Sequence, residues 1–155
     1  GAEIGHTVIS VDGPQCTCGR KGCFEVFSSA TGLIRMTKEA IADNPDSSMA
    51  KEDKISGRTA FNHMRSGDAS AKAVVDKYIK HLAAGVTNTI NIFQPDVLCI
   101  GGGVCNEGDP LLVPMKEIVA KENYTRNSPK NAEIVIAKLG NDAGIIGAAF
   151  LGNAK

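Results

Sequence analysis

Apolar residues recur through the middle of the chain at Ala71, Val74, Val75, Tyr78, Ile79, Leu82, Ala83, Val86, Ile90 and Phe93. Steps of three, one and four residues trace one continuous stripe on a helix. A helix is therefore expected from Ala69 to about Phe93. Gln94-Pro95-Asp96 stops it, because Pro95 cannot continue an unbroken helix. Before it, His6 to Val11 alternates and is β-branched, which predicts a strand closed by the turn Asp12-Gly13-Pro14. Cys23 to Ala42 has helical spacing, with Phe24, Phe27, Leu33, Ile34 and Ile41 as buried candidates and Gly32 as a point of division. The polar run from Asn44 to Ser48 reads as a surface loop, and residues 58 to 66 as a short helix. After the long helix, Val97 to Ile100 is wholly apolar and runs into Gly101-Gly102-Gly103, the pattern of a strand buried on both faces. A helix from about Pro110 to Ala120 and a strand from Ala132 to Ala137 follow. Asn141 and Asp142 are expected to cap a last small-residue helix reaching Phe150. Its Gly144, Gly147, Ala148 and Ala149 suit close helix packing. This β-α-β-α tail favours a layered α/β domain.

Composition narrows the function classes. The 155 residues hold 17 Lys+Arg and 17 Asp+Glu, so the formal net charge is zero. That leaves no electrostatic footprint for nucleic acid or for an anionic membrane surface. No apolar run approaches the ~18 residues that cross a bilayer. Trp is absent and aromatics are only 5%, so the core must be aliphatic. The opening Gly1-Ala2-Glu3-Ile4-Gly5-His6 lacks the basic and then apolar order of a signal peptide. The expectation is a cytoplasmic protein, of which this chain is a piece of something longer.

Candidate chemistry sits in two places. Cys16-Thr17-Cys18-Gly19-Arg20-Lys21-Gly22-Cys23 gathers three of the five cysteines, with His6 upstream. In a chain with no secretory signal, such a cluster reads as metal binding before disulfides. Zn²⁺ takes four ligands in a tetrahedron, and Cys₃His is a common closed structural set. Gly19 and Gly22 permit the backbone angles that turn three sulfurs onto one ion, and Arg20 and Lys21 partly offset the thiolate charge. Unpaired thiols or a local disulfide are the alternatives, although a Cys16–Cys18 bridge would close a strained ring. His6 is either the fourth ligand or a hydrogen-bonding side chain beside a strand. The second place is Gly101-Gly102-Gly103-Val104, between a strand and a helix. It is either a tight turn or a loop that lets backbone approach a ligand near a helix N-terminus. No Gly-Lys-Ser/Thr follows, so it is not a P-loop. Cys99 reads as a small buried apolar residue, Cys105 has no support as a nucleophile, and His63 and His81 read as surface residues.

Glu3-Ile4-Gly5-His6, followed by Cys16-x-Cys18-Gly19-x-x-Gly22-Cys23-x-Glu25, closely resembles the signature of the ROK family of repressors, open reading frames and kinases. The likeness runs from Glu3 to the final helix. It implies an α/β fold, the C-terminal lobe of an actin-like (ribonuclease H-like) ATPase with a zinc-binding loop. It implies that His6, Cys16, Cys18 and Cys23 hold a structural zinc, and that Glu3, His6 and Glu25 contact sugar hydroxyls. His6 would serve twice, through its two ring nitrogens. Gly101, Gly102, Gly103 and Val104 would lie against the adenosine end of ATP. The family's phosphate loop and catalytic Asp lie upstream of the Glu-x-Gly-His string, so no catalytic residue is expected within this chain. Asp142 to Ala149 instead matches the family's C-terminal Asp-x-x-Gly-x-x-Gly-Ala-Ala helix.

The resulting expectation is one unit over residues 1–155. A zinc and sugar segment covers about 1–30 and a nucleotide-side segment about 95–155, with the N-terminal lobe lying outside the chain. Its partners would be a hexose (glucose foremost), Mg-ATP, its own N-terminal lobe and a second copy in a homodimer. The fragment alone would be inactive. A sugar-responsive repressor of the same family, or a zinc-stabilised assembly module, are the rival readings.

Overall fold

The computed structural model describes residues 2–151. Its spine is the predicted long helix. That helix, α4, spans Ala69–Phe93, and the stripe from Ala71 to Ile90 is buried. Only Phe93 departs from the pattern, at 55% exposed. Four shorter helices lean on this face: α1 (Phe24–Ser28), α2 (Ala30–Asp43), α3 (Thr59–Arg65) and α5 (Asp109–Glu122). Leu33, Met36, Met49, Phe61 and Met115 fill the space between them. The core is aliphatic and sulfur-rich, as a chain poor in aromatics requires.

The expected single helix over 23 to 42 is two helices, and they part at Ser29, not at Gly32. Ser29 has extended backbone, ends α1, and accepts the Gly32 amide on its Oγ at 3.0 Å. A serine hydroxyl that satisfies a free helical N–H stabilises an N-terminus there. Gly32 has a packing role: a Cβ on it would stand 2.6 Å from the Val26 carbonyl oxygen.

The expected surface loop at Asn44–Ser48 turns inward. Ser47 is buried, and a 3₁₀ turn over Ser48–Lys51 puts Met49 into the core. The cause is Asp68, the cap of α4. One of its oxygens accepts the Ala71 amide at 2.9 Å. The other accepts the Ser47 hydroxyl, the Ser48 amide and the Ser48 hydroxyl, at 2.7 to 2.8 Å. His63 is half-buried rather than a plain surface residue, bonded to Ser48 Oγ and Glu52. His81 stacks on Phe27 at 4.3 Å.

The expected strand over 6 to 11 is absent. Ile4–His6 is a 3₁₀ turn, and Val8 makes one isolated antiparallel bridge with Cys23. β-Branched alternation alone is not enough, because the segment's neighbour is the tight cysteine loop and not an extended chain. The two predicted strands of the tail do form. β1 (Val97–Ile100) and β2 (Glu133–Ile136) pair in parallel, Val97 opposite Glu133 and Ile100 opposite Ile136. α5 is the crossover between them, with Pro110 in its first turn, where a missing N–H costs nothing.

Three expectations for the tail fail. β1 is covered on one face only: Leu98 and Ile100 are half-buried, while Val97 is 51% exposed and Cys99 is exposed rather than buried. The last helix, α6 (Ala143–Phe150), is uncovered too. Ile145 is 74% exposed, and nothing lies within 4 Å of a Cβ placed on Gly144 or Gly147. Asp142 has helical backbone and makes no side-chain cap, so the cap reading is corrected for it. The side chain of Asn141 lies outside the described residues. The small residues of α6 lack a facing surface among the described residues.

Asp68 is held well below the ordinary carboxylate value of 3.8, foremost by the Ala71 amide and then by the serines. A depressed pKa stabilises the fold above the unfolded value, and the benefit fades as the pH falls through and below it. Asp68→Ala is expected to cost about 1–2 kcal/mol at pH 7. The gap to wild type in urea unfolding should be wide at pH 7 and narrower at pH 3.

Candidate functional site

The 3₁₀ turn at Ile4–His6 is closed by the His6 amide on the Glu3 carbonyl at 3.0 Å, and it aims the His6 ring at the cysteine loop. That loop is a small hairpin. The Cys16 amide donates to the Arg20 carbonyl and the Gly22 amide to the Pro14 carbonyl, both at 2.8 Å. Gly22 has a φ of +67°, and a Cβ there would stand 1.5 Å from the Ser10 carbonyl oxygen. Only glycine fits that position.

Four donor atoms converge. His6 Nδ1 lies 3.6 Å from Cys16 Sγ, and Cys18 Sγ lies 3.6 Å from Cys23 Sγ. All four ligand atoms of His6, Cys16, Cys18 and Cys23 fall within 4.8 Å of one another. A tetrahedral ion with Zn–S bonds of ~2.3 Å and a Zn–N bond of ~2.0 Å needs donors about 3.5–3.8 Å apart. The two closest pairs meet that spacing, and the donor set is the soft one zinc prefers. The cysteines are all free thiols, so the disulfide alternative is not formed. The two buried sulfurs differ in charge preference. Cys16 is drawn down to about 7, foremost by the Cys18 amide. Burial pushes Cys23 up to about 11.

Glu25 stands in the first turn of α1, two residues after Cys23, so the loop that gathers the sulfurs also sets where its carboxylate points. Its Oε1 is 4.0 Å from Cys16 Sγ, and its Cβ faces Gly5. Glu25 opens into a cavity of about 380 Å³. Gly5, Ser28 and Tyr78 line it as well, and so do Gly101, Gly102, Gly103 and Val104. Glu25 and the glycine strip, far apart in sequence, therefore face the same space. Glu3 does not join them; it is exposed and lines a separate hollow of about 290 Å³ with Asn88, Ile92 and Phe93.

The glycine strip differs from the expectation in one respect. No α-helix follows it directly: Gly103–Glu107 is a 3₁₀ turn, and α5 starts only after Gly108. The argument from a helix N-terminus therefore does not apply at Gly103. Gly102, with φ 106° and ψ 164°, is the residue that requires glycine.

Two residues that hold the cavity wall escaped the sequence reading. Tyr78, read only as core, donates its hydroxyl to the Ser28 carbonyl at 2.7 Å, tying the end of α1 to α4. Burial drives its pKa upward, so it stays a neutral donor. Gly85 is the notch that receives Phe24: a Cβ on it would stand 2.1 Å from the ring. A glycine in mid-helix costs ~1 kcal/mol against alanine, and that local penalty was the available signal of a close approach.

The ROK family profile matches residues 1–155. The chain belongs to the ROK family. It is 38% identical over 154 residues to a glucokinase of Halalkalibacterium halodurans, covering 96% of this chain and 46% of that protein. It is 36% identical to a glucokinase of Thermotoga maritima, covering 97% and 49%. A xylose repressor of Caldicellulosiruptor bescii is 25% identical over 148 residues, covering 94% and 37%. The crystal structure of a ROK family glucokinase from Streptomyces griseus, in complex with glucose and AMPPNP, superposes with a TM-score of 0.82 at 30% identity. That match covers 97% of this chain and 50% of that one. The architecture is accordingly that of the actin-like ATPase fold of ROK sugar kinases. The chain spans about half the length of the curated glucokinases it matches.

Gly22→Ala is expected to break the loop. A strained φ and a backbone clash together should cost more than about 2 kcal/mol, read as a lowered melting temperature. A melting curve equal to wild type would contradict the geometry described.

Proposed function

We propose that this chain is the C-terminal lobe of an ATP-dependent hexose kinase, with glucose as the foremost substrate. The observation that carries the reading is one cavity lined both by Glu25 and by Gly101-Gly102-Gly103. A phosphoryl transfer needs acceptor and donor side by side and in line, and the carboxylate suits the acceptor and the glycine backbone the donor. Ionised carboxylates accept strong hydrogen bonds from adjacent hydroxyls, so Glu25 fixes the sugar ring from within the cavity, whereas Glu3, which lines a separate hollow, would have to turn toward it to add a contact. His6, with Nδ1 turned to the sulfurs, offers its other ring nitrogen to a further hydroxyl. The backbone of Gly101–Val104 takes the adenosine side of Mg-ATP. The base that removes the proton from the sugar's primary hydroxyl is an Asp of the other lobe, outside this chain. That oxygen then bonds to the γ-phosphorus as the bond to ADP breaks.

His6, Cys16, Cys18 and Cys23 would hold a structural zinc, supported by the convergence of their donor atoms. When bound, zinc supplies rigidity to the loop and no chemistry at phosphorus. Residues about 1–30 are then the sugar side, and about 95–155 the nucleotide side. The repressor reading has its own support in the similarity to a xylose repressor. The glycine strip on the cavity wall favours the kinase, since a repressor has no need of ATP. A purely structural assembly module leaves that cavity without purpose.

Three outcomes test the proposal. The purified protein should carry one zinc per chain by elemental analysis, and Cys18→Ser should lose most of it. The polypeptide of both lobes should phosphorylate glucose in a coupled assay, while these 155 residues alone should not. Within it, Glu25→Gln should raise the KM for glucose by roughly tenfold or more, the loss of one charge-assisted hydrogen bond. A full-length protein that binds glucose and operator DNA but turns over no ATP would instead select the repressor.

A further inference from the structure

The carboxylate of Glu107 is 6% exposed and accepts from Arg65 Nη2 at 2.5 Å. Arg65, reaching across from the end of α3, is the side chain that bonds this carboxylate. The guanidinium is prepared for the contact. Its Nη1 donates to Asn62 Oδ1 one turn back at 3.2 Å, and it lies over the Phe61 ring, 6.0 Å from the centroid. Phe61 is fully buried against α4, and His63 on the same short helix is bonded to Ser48 and Glu52. α3 is thus a fixed post.

Glu107 ends the 3₁₀ turn that carries the glycine strip onward. That turn hangs between two glycines, Gly102 at φ 106° and Gly108 at φ 66°. Glycines at both ends make the turn easy to rotate. Val104 and Cys105 pack its first half on the core, and the Cys105 amide to the Gly102 carbonyl and the Gly108 amide to the Cys105 carbonyl, each 3.1 Å, close it. The ion pair at Glu107 adds an attachment at its far end, to α3.

We infer that Arg65 is a positioning residue for the nucleotide: through Glu107 it holds the Gly103–Glu107 turn, and with it the Gly101–Gly103 wall, at a set distance from Glu25. The inference rests on the kinase reading above. It makes α3 a support for the ATP side only, since neither Glu25 nor the cysteine loop touches this pair.

The test is steady-state kinetics of the complete two-lobed protein with Arg65→Leu, Glu107→Gln and the reversal Arg65→Glu/Glu107→Arg. Arg65→Leu is expected to raise the KM for ATP roughly tenfold, the worth of one charged hydrogen bond. The KM for glucose and the zinc content should stay as in wild type. Glu107→Gln should fall between the two, and the reversal should recover part of the loss. Arg65→Leu leaves the Glu107 carboxylate without its partner, so Arg65→Leu/Glu107→Gln is measured beside it and should show the same selective rise in the KM for ATP without an unpaired charge. An unchanged KM for ATP in an active Arg65→Leu protein overturns the inference and leaves the kinase reading standing. An equal rise in both KM values, as from general loosening, also overturns it. A wild-type protein with no turnover of ATP overturns the kinase reading and this inference together.

Discussion

Burial of the apolar face of α4 is the contact on which the lining of the cavity stands. α1 is seated on it through Phe24 in the Gly85 notch and tied to it by Tyr78. α5, which follows the glycine strip and its 3₁₀ turn, packs on it as well, through Leu111, Met115 and Val119. Glu25 and the start of α5 are therefore both referred to one packed helix, and the glycine strip between β1 and α5 takes its final place from the Arg65–Glu107 contact proposed above. Rigid elements hold a site more closely than loops can, and here the cysteine loop runs straight into α1 while the glycine strip is short and lies between β1 and the turn that precedes α5.

Polar contacts complete what packing begins. Asp68 folds the segment after Asn44 onto the start of α4, and Arg65 reaches from α3 to the turn behind the glycine strip. In each contact a carboxylate, of Asp68 or of Glu107, joins segments distant in sequence. Such contacts decide where a loop rests without adding much apolar area. That is why Ser47 and Met49 are buried in a stretch whose composition is that of an exposed turn.

What was legible in the sequence follows from this division. α4, with its long single-period stripe, was readable from Ala69 to Phe93 because local spacing and tertiary burial agree there. The break at Ser29 was missed because Gly32 looked the weaker residue, whereas an N-terminal hydroxyl is what starts a helix. The strand read over His6–Val11 failed because strand formation needs a partner that only the fold supplies. At the site, the metal-type cluster was legible since its four residues are close in sequence and chemically distinctive. The meeting of Glu25 with Gly101–Gly103 could be expected only by family resemblance, because no local pattern links residues that far apart. The roles of Tyr78 and Arg65 were hidden: each looks like an ordinary core or surface residue until its partner is known.

In a sample of these 155 residues alone, the outer side of the tail sets the behaviour in water. Hydrocarbon from Val97, Leu139, Ile145, Phe150 and Leu151 meets solvent across β1, the turn after β2, and α6. With a formal charge of zero, no long-range repulsion keeps copies apart near neutral pH. Colloidal behaviour at this surface is accordingly governed by salt and concentration, and moving the buffer away from neutrality restores the mutual repulsion that the composition lacks.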